Sequence, residues 1–234
     1  MDTCEKCGDK GYWFEDNTMV VCTCQQQKLI DSKKLDNGIT PKMARNRLES
    51  FDMTYYTQDR KKAAQNALHA STGFIENYLA GEQKDGLIFL GSVGSGKTYL
   101  ASAIISSLID SGVDAKLILL SDFLDELRAA MKDGSPQRII NQVKAYPVLA
   151  IDDLGADNNT DFAVNSIFSL LNYRLNYELP TIITTNLNHK QIEEVYGSRI
   201  LSRLTEMCRF YQLNGDGDIR IKKRIKARTI NEYK

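Results

Sequence analysis

The sequence lacks long hydrophobic runs, and no stretch approaches the ~18 apolar residues that a membrane-spanning helix needs. Its first seven residues also lack the apolar core of a signal peptide. Net charge is absent as well, because 30 basic residues balance 30 acidic residues, so nucleic-acid binding requires local basic patches. We therefore expect a cytoplasmic protein without membrane contact. The length of 234 residues allows one large α/β domain and a small additional module.

A glycine-rich stretch after an apolar run is the most informative part of the sequence. Residues 87–90 are all apolar, which predicts a strand buried on both faces. The residues that follow match the phosphate-binding pattern G-x-x-x-x-G-K-[ST] in full. Glycines lack Cβ atoms where the backbone must curl, so successive N–H groups can converge on phosphate oxygens. The predicted nucleotide-binding residues are Gly91, Ser92, Val93, Gly94, Ser95, Gly96, Lys97, Thr98 and Tyr99.

Three residues at the end of this loop have separate predicted roles. Lys97 can reach the β- and γ-phosphates of a nucleotide, and the Thr98 hydroxyl is placed to bind Mg²⁺. Tyr99 offers a backbone N–H to the α-phosphate from the first turn of a helix whose positive dipole end faces the anion. Apolar residues recur at every fourth position over residues 100–108, as on an amphipathic helix. The alternative is a glycine-rich turn with a chance lysine, and the flanking strand and helix argue against it.

Two aspartates follow a second apolar strand. The strand is expected over residues 147–153, and its C-terminal end is where parallel sheets bind ligands. Asp152 is predicted to hold Mg²⁺ through its waters, and Asp153 to polarise the attacking water as general base. The alternative is an Asp-Asp turn after a buried strand. Asp152 lies 55 residues after Lys97, with one strand–helix unit between them, which argues against that turn. The intervening strand also argues against a sheet in which the strand before the phosphate loop and the strand before the aspartates are neighbours.

Four of the five cysteines lie within the first 24 residues, in two close pairs. This clustering favours a metal site over disulfides in a cytosolic protein. Four thiolates make a closed, structural Zn²⁺ site, which is also the obvious source of stability for so small a module. Reduced free thiols and a redox pair are the alternatives, and the one-residue spacing of the second pair is tighter than usual. The predicted ligands, in a module over residues 1–27, are Cys4, Cys7, Cys22 and Cys24.

The segment over residues 28–49 is predicted to be a basic helical linker. A polar helix is expected over residues 25–35, and Thr40 with Pro41 is expected to begin another as N-cap and first position. A further helix is expected over residues 58–79. For the charges of the linker, a solvated helical face is favoured over a nucleic-acid contact. The basic residues concerned are Lys28, Lys33, Lys34, Lys42, Arg45 and Arg47.

The rest of the chain continues to alternate between strand and helix patterns. Ser121 and Asp122 are expected to cap one helix, and Asn186 ends a strand with an amide suited to orienting a water near the γ-phosphate. Cys208 is interpreted as a core residue rather than a ligand. The expected strands are 115–120, 180–186 and 207–213, the expected helices 121–131, about 136–145 and 161–177, the breaks 133–136 and 154–157.

A basic tail is expected over residues 215–234. It has seven basic residues and one acidic residue from position 220 onward. A solvated, floppy tail and a DNA contact both remain open for it.

Together these motifs resemble the DnaC/DnaI helicase-loader branch of the AAA+ ATPases, over roughly residues 48–213. The closely related IstB-type transposition helper ATPases share the same core. The resemblance implies a three-layer αβα domain over residues 50–214, with a central parallel sheet and no helical lid domain. The pair Asp152-Asp153 departs from the Asp-Glu of most AAA+ proteins but fits this branch. The residues that carry the resemblance are Gly91–Thr98, Ile151–Gly155, Thr184–Asn186 and Gly197–Leu204.

The resemblance also implies a function. Asn186 is then the sensor residue, and Arg203, or as second choice Arg199, is an arginine finger that acts in a neighbouring subunit's site. The protein is expected to hydrolyse ATP with Mg²⁺, to self-associate through ATP, and to load a replicative helicase onto single-stranded DNA. The alternatives are an IstB-type transposition helper and a nucleotide-gated DNA-binding scaffold with little hydrolysis.

Overall fold

The computed structural model describes residues 3–132, 134–156 and 160–232, without the side chains of 226–232. The expected breaks at 133–136 and 154–157 therefore lie partly outside the described residues. The strands are β1 (Tyr12–Glu15), β2 (Thr18–Val21), β3 (Gly86–Leu90), β4 (Ala115–Leu119), β5 (Val148–Leu154), β6 (Thr181–Thr185) and β7 (Cys208–Gln212). The helices are α1 (Thr23–Asp36), α2 (Gln58–Leu79), α3 (Lys97–Asp110), α4 (Leu120–Ala130), α5 (Pro136–Lys144), α6 (Asp161–Asn176), α7 (His189–Tyr196), α8 (Ser198–Met207) and α9 (Ile219–Glu232).

The central sheet has five parallel strands in the order β4-β5-β6-β3-β7. Strands β3 and β6 are buried along their whole length, as expected where helices cover both faces of a sheet. The strand that leads into the glycine-rich loop, β3, lies between β6 and β7. The prediction that the phosphate strand and the acidic strand β5 are not adjacent is confirmed. The strand between them in space is β6, because β4 lies at the edge of the sheet.

Helices on both faces complete a three-layer αβα domain, as expected. Helices α2 and α3 pack on one face, together with apolar residues of the connector over residues 39–56. Helices α4 to α8 cover the other face. The apolar stripe expected on α3 is fully buried, and Cys208 is buried at the start of β7, as a core residue. β1 and β2 form a separate antiparallel hairpin before α1. No helix of the described residues is long and apolar enough to cross a bilayer.

Two expected helix starts are wrong. Helix α4 begins at Leu120 with Leu119 as its N-cap, so neither Ser121 nor Asp122 caps it. The chain turns directly from β4 into the helix, which places both polar residues inside its first turn. Thr40 begins no α-helix, and a single 3-10 turn over Met43–Arg45 follows it instead. The Thr40 hydroxyl still accepts a hydrogen bond from the N–H of Met43 at 3.2 Å.

The basic linker lies against α3 and β4, and its solvated interpretation is wrong for Lys34. Only 2% of the Lys34 side chain is exposed, and its ammonium lies 2.6 Å from the Asp110 carboxylate. Arg47 reaches the same carboxylate at 3.6 Å. The carbonyl of Asn37 accepts a hydrogen bond from the N–H of Leu117, which fixes the end of α1 to the edge strand. This attachment is why a lysine of the linker becomes buried.

The C-terminal basic segment is helical, so the expectation of a floppy tail is wrong for residues 219–232. One side of the helix start is anchored, because Ile219 is buried against the core that contains α3. Isoleucines at 221 and 225 interrupt the basic run four positions apart. That i, i+4 spacing was the sequence signal for a helix, and the density of charge obscured it.

Candidate functional site

The glycine-rich loop joins the end of β3 to the start of α3, at the C-terminal edge of the sheet. Gly94 and Gly96 have φ angles of 70° and 100°, which residues with a Cβ rarely adopt. A Cβ at Gly94 would collide with the carboxylate of Asp218, and one at Gly96 would lie 2.9 Å from the Tyr56 hydroxyl oxygen. Both glycines are therefore required by backbone conformation and by close neighbours, and the curled loop predicted from the motif is present.

The ammonium group of Lys97 reaches back over this loop. It donates hydrogen bonds to the carbonyls of Gly91 at 2.7 Å and Ser92 at 2.8 Å, and to Asn186 Oδ1 at 2.7 Å. Only 6% of Lys97 is exposed. This burial lowers the pKa of Lys97 to about 8, although the two nearby aspartates oppose the shift. A buried cation beside a curled backbone suits an anionic ligand such as a phosphate.

The two residues predicted to bind Mg²⁺ lie together. The Asp152 Oδ1 atom accepts hydrogen bonds from Thr98 Oγ1 at 3.0 Å and from Thr184 Oγ1 at 2.6 Å. Burial raises the pKa of Asp152, and the two hydroxyl donors counteract that shift. A hydroxyl and a carboxylate at this separation are the oxygen donors that Mg²⁺ prefers. The residues present thus fit the ion. Thr184 was not predicted as a site residue, and its part is to orient Asp152.

Asp153 and Asn186 meet at the ends of β5 and β6. Next to Asp153 the pairing of β5 with β6 shifts register, and Asp153 has a φ of 65°. Its N–H donates to Thr184 Oγ1 at 2.9 Å. The irregularity breaks the alternation of the strand, so Asp153 Oδ1 lies 3.5 Å from Asn186 Nδ2. Asn186 therefore contacts both Lys97 and Asp153, and Thr184 links Asp153 to Asp152, so these four predicted catalytic residues form one connected cluster.

An aromatic cluster that the sequence analysis missed lies beside the loop. The Tyr56 hydroxyl donates to the carbonyl of Ser95 at 2.6 Å, and burial raises the pKa of Tyr56. Phe51 contacts the rings of Tyr56 and Tyr99, at centroid distances of 5.7 Å and 5.5 Å. The Tyr99 hydroxyl donates to the carbonyl of Arg47 at 2.8 Å. The sequence signal was the density of aromatic residues between 51 and 56.

The segment after β7 contacts the loop from another side and was also missed. Asn214 Oδ1 accepts a hydrogen bond from the N–H of Ser92 at 3.2 Å. The N–H of Ile219 donates to the carbonyl of Gly94 at 3.1 Å. The charge of Arg220 adds a smaller contribution to that of burial in lowering the pKa of Lys97. No local motif marks these residues, because the pairing of β7 with β3 brings them here.

The two candidate arginine fingers lie on α8. Arg203 pairs with Glu206 of the same helix at 3.1 Å. The Arg199 guanidinium lies 4.3 Å from the centroid of the Phe168 ring on α6. The contacts described for both arginines are thus with their own helix layer rather than with the phosphate loop, and a role in a neighbouring subunit stays a prediction.

The four N-terminal cysteines form a second cluster, away from the loop. Their sulfur atoms all lie within 4.8 Å of one another. The Cys4–Cys22 and Cys7–Cys24 sulfur distances are 3.7 Å and 3.4 Å, and thiolates around tetrahedral Zn²⁺ lie ~3.8 Å apart. The N–H of Gly11 donates to Cys7 Sγ at 3.4 Å. The geometry fits a zinc ion.

Known proteins share both sequence and structure with this chain. The sequence model of the family described as IstB-like ATP binding protein matches residues 25–227. The replicative helicase loader DnaI of Bacillus subtilis (strain 168) is 26% identical over 158 residues, which is 62% of this chain and 51% of that protein. The replicative helicase loader DnaC of Escherichia coli (strain K12) is 25% identical over 141 residues, 59% of this chain and 57% of that protein. The chain thus spans little more than half the length of these relatives.

The structural comparison gives the same core. The crystal structure of the DnaC helicase loader matches with a TM-score of 0.65 and 25% identity, covering 74% of this chain and 99% of that chain. The family match extends from α1 into α9 and includes every residue of the phosphate loop and of the acidic pair. The chain therefore belongs to the IstB-like ATP binding protein family and has the AAA+ P-loop ATPase fold.

Proposed function

We propose that this protein is an ATP-dependent DNA replication protein that loads a replicative helicase onto single-stranded DNA. The observation that carries the proposal is the similarity to the loaders DnaI and DnaC over the ATPase domain. The connected cluster of Lys97, Asn186 and Asp153 supports the ATPase part. ATP binding joins subunits and hydrolysis loosens them, so the nucleotide switches the assembly.

The residues of the cluster divide the work. Lys97 exchanges its hydrogen bonds to the loop carbonyls for bonds to the β- and γ-phosphates, whose charge it offsets. Asp153 accepts the proton of the attacking water as general base. Asn186 orients that water, because its amide already lies between the lysine and the carboxylate.

Thr98 and Asp152 are the residues that would hold Mg²⁺. When bound there, the ion would supply positive charge beside the phosphate oxygens. Thr184 fixes the orientation of the Asp152 carboxylate by donating to it and by accepting the N–H of Asp153. One threonine therefore positions both acidic residues.

We also propose that Cys4, Cys7, Cys22 and Cys24 hold one structural Zn²⁺ ion. Metal analysis of the purified protein is expected to give about one equivalent of zinc, falling towards zero for Cys7→Ser, since three thiolates leave the tetrahedral site open. Cys208→Ala, which removes the cysteine of the sheet, serves as the control and keeps the metal. A metal-free protein with a folded β1–β2 hairpin contradicts the assignment.

The loader proposal is tested by capture of the partner. Immobilised protein with ATP, in a lysate of the organism that encodes it, is expected to retain a hexameric replicative helicase identified by mass spectrometry. A Lys97→Ala bait serves as the matched control and retains less, because nucleotide binding is lost. Capture of a transposase in place of a helicase contradicts the loader. That result supports the second candidate, an IstB-type transposition helper, which the family match favours.

A further inference from the structure

Basic and aromatic side chains alternate along the edge of the sheet opposite to the phosphate loop. Lys116 is the second residue of β4, Lys144 ends α5, and Tyr146 precedes β5. Tyr173 and Tyr177 lie at the C-terminal end of α6, which leads into β6. We call these five residues the Lys–Tyr strip. They gather at the N-terminal ends of three parallel strands, whereas the phosphate loop lies at the C-terminal end.

Three contacts join members of the strip, one pairing Lys116 with Tyr146 and two linking Lys144, Tyr173 and Tyr177. The Lys116 ammonium lies 5.3 Å from the centroid of the Tyr146 ring, and the Lys144 ammonium lies 4.6 Å from that of Tyr173. The rings of Tyr173 and Tyr177 are 4.3 Å apart with an interplanar angle of 30°. Tyr177 is 63% exposed, and the other four residues are half-buried. The strip thus presents an open aromatic ring next to fixed positive charges.

A buried arginine supports the strip from below. Arg174 is 0% exposed, and its guanidinium donates to the carbonyls of Lys144 at 3.1 Å and Tyr146 at 2.7 Å. It also donates to the carbonyl of Pro180 and to Thr181 Oγ1, both at 2.8 Å. The hydrogen-bond acceptors of the guanidinium are thus carbonyls and a hydroxyl. None of the ion pairs found among the described residues includes Arg174, so its positive charge has no carboxylate partner there.

Two consequences follow from Arg174. Its hydrogen bonds hold the backbone at Lys144 and Tyr146, so this part of the strip is already ordered and loses little entropy on binding. Its charge also adds to that of the two lysines at the same edge. The nearest acidic side chain in sequence, Glu178, is paired with Lys84 at 3.2 Å and does not cancel this charge.

We propose that the Lys–Tyr strip binds single-stranded nucleic acid. Unpaired bases stack on Tyr177 and the adjacent Tyr173, while Lys116 and Lys144 hold phosphates. Single-strand binding surfaces combine these two elements, because every base has a face for stacking and every linkage a charge. An acidic protein segment would use the lysines, whereas unpaired bases use both the lysines and the faces of the exposed rings. The inference deepens the proposed function and rests on it only for the identity of the polymer as DNA.

The test measures binding of fluorescein-labelled oligothymidylate by anisotropy at several salt concentrations. Tyr177→Ala is expected to weaken binding by about tenfold or more, because base stacking is lost, whereas Tyr177→Phe binds like the wild type. Lys144→Ala is expected to reduce the salt slope by about 0.7, since one phosphate contact is lost. Lys190→Ala removes an exposed lysine of α7 as the matched control and leaves affinity and slope unchanged.

Other outcomes contradict binding of single strands at the Lys–Tyr strip, and they can be distinguished from results that contradict the proposed helicase-loading function. If the wild type binds the strand and Tyr177→Ala, Lys116→Ala and Lys144→Ala bind it equally well, another surface holds the DNA and the proposed function stands. If polyglutamate with the same total charge as the oligonucleotide displaces it, and Tyr177→Ala binds the oligonucleotide like the wild type, the strip binds acidic protein segments instead. If the wild type binds no oligonucleotide, the proposal that the strip binds single strands is wrong. Capture of the helicase then tests the proposed loading function independently.

Discussion

Replacing Lys97 with alanine is expected to weaken ATP binding by about 100-fold or more (~3 kcal/mol), because charge-assisted hydrogen bonds to phosphate are lost in a buried site. Lys97 is 6% exposed, and its ammonium group lies where the loop carbonyls and Asn186 converge. Water reaches such a site poorly and replaces the lost charge only in part. Calorimetric titration with a non-hydrolysable ATP analogue measures the effect, with a thermal melt to confirm that the variant folds.

The pH dependence of the same titration gives an internal control. Burial lowers the pKa of Lys97 to about 8, and a bound phosphate favours the ammonium form. Below that pH the lysine is already charged, whereas above it binding must take up a proton, so affinity is expected to fall as pH rises through about 8. Lys97→Ala removes this dependence. An unchanged affinity for Lys97→Ala, or the same pH profile in both proteins, contradicts the role assigned to the lysine.

Replacing Arg203 with alanine is expected to leave ATP binding by the monomer intact and to lower turnover by on the order of 10³–10⁵, the range for arginine fingers in related chemistry. Arg203 lies on α8 and pairs with Glu206 rather than with its own phosphate loop. A guanidinium supplied to a neighbouring subunit stabilises the charge of the transferring phosphoryl oxygens. Steady-state hydrolysis and sedimentation with ATP measure the loss of turnover and of assembly.

Mixing variants tests whether the site is shared between subunits. Arg203→Ala mixed with Lys97→Ala is expected to regain part of the activity, because one chain supplies the phosphate loop and the other the arginine. Arg199→Ala, which removes an arginine one turn earlier on the same helix, is the matched control and retains turnover. Folded variants that show no rescue contradict a shared site, and loss of turnover in Arg199→Ala alone makes that residue the finger.

The core of the site was predictable because each of its parts follows an apolar strand. The loop with Lys97, the pair Asp152-Asp153 and Asn186 all end parallel strands, and parallel strands bring their C-terminal ends to one edge. What the pattern could not supply is the conformation of Asp153. Its φ of 65° and the shifted register beside it depend on how β5 pairs with β6, which no local residue encodes.

The surroundings of the site could not be predicted for a different reason. Asp218 and Asn214 contact the loop only because β7 pairs with β3, and Tyr56 contacts it only because the connector runs along α3. Such contacts join residues more than 35 positions apart, so they depend on strand order rather than on composition. Lys34 shows the same limit, since its charge predicts exposure and its pairing with Asp110 buries it.

Steady-state ATP hydrolysis by the wild type and by Asp153→Asn, with nucleotide binding measured in parallel, tests whether the cluster at the phosphate loop is an ATPase site. We predict Mg²⁺-dependent turnover by the wild type. For Asp153→Asn we predict normal binding without turnover, since the substitution removes the base and leaves Asp152 and Thr98 in place. Tight ATP binding without turnover in both proteins, with single-stranded DNA present or absent, contradicts the account and identifies a nucleotide-gated scaffold.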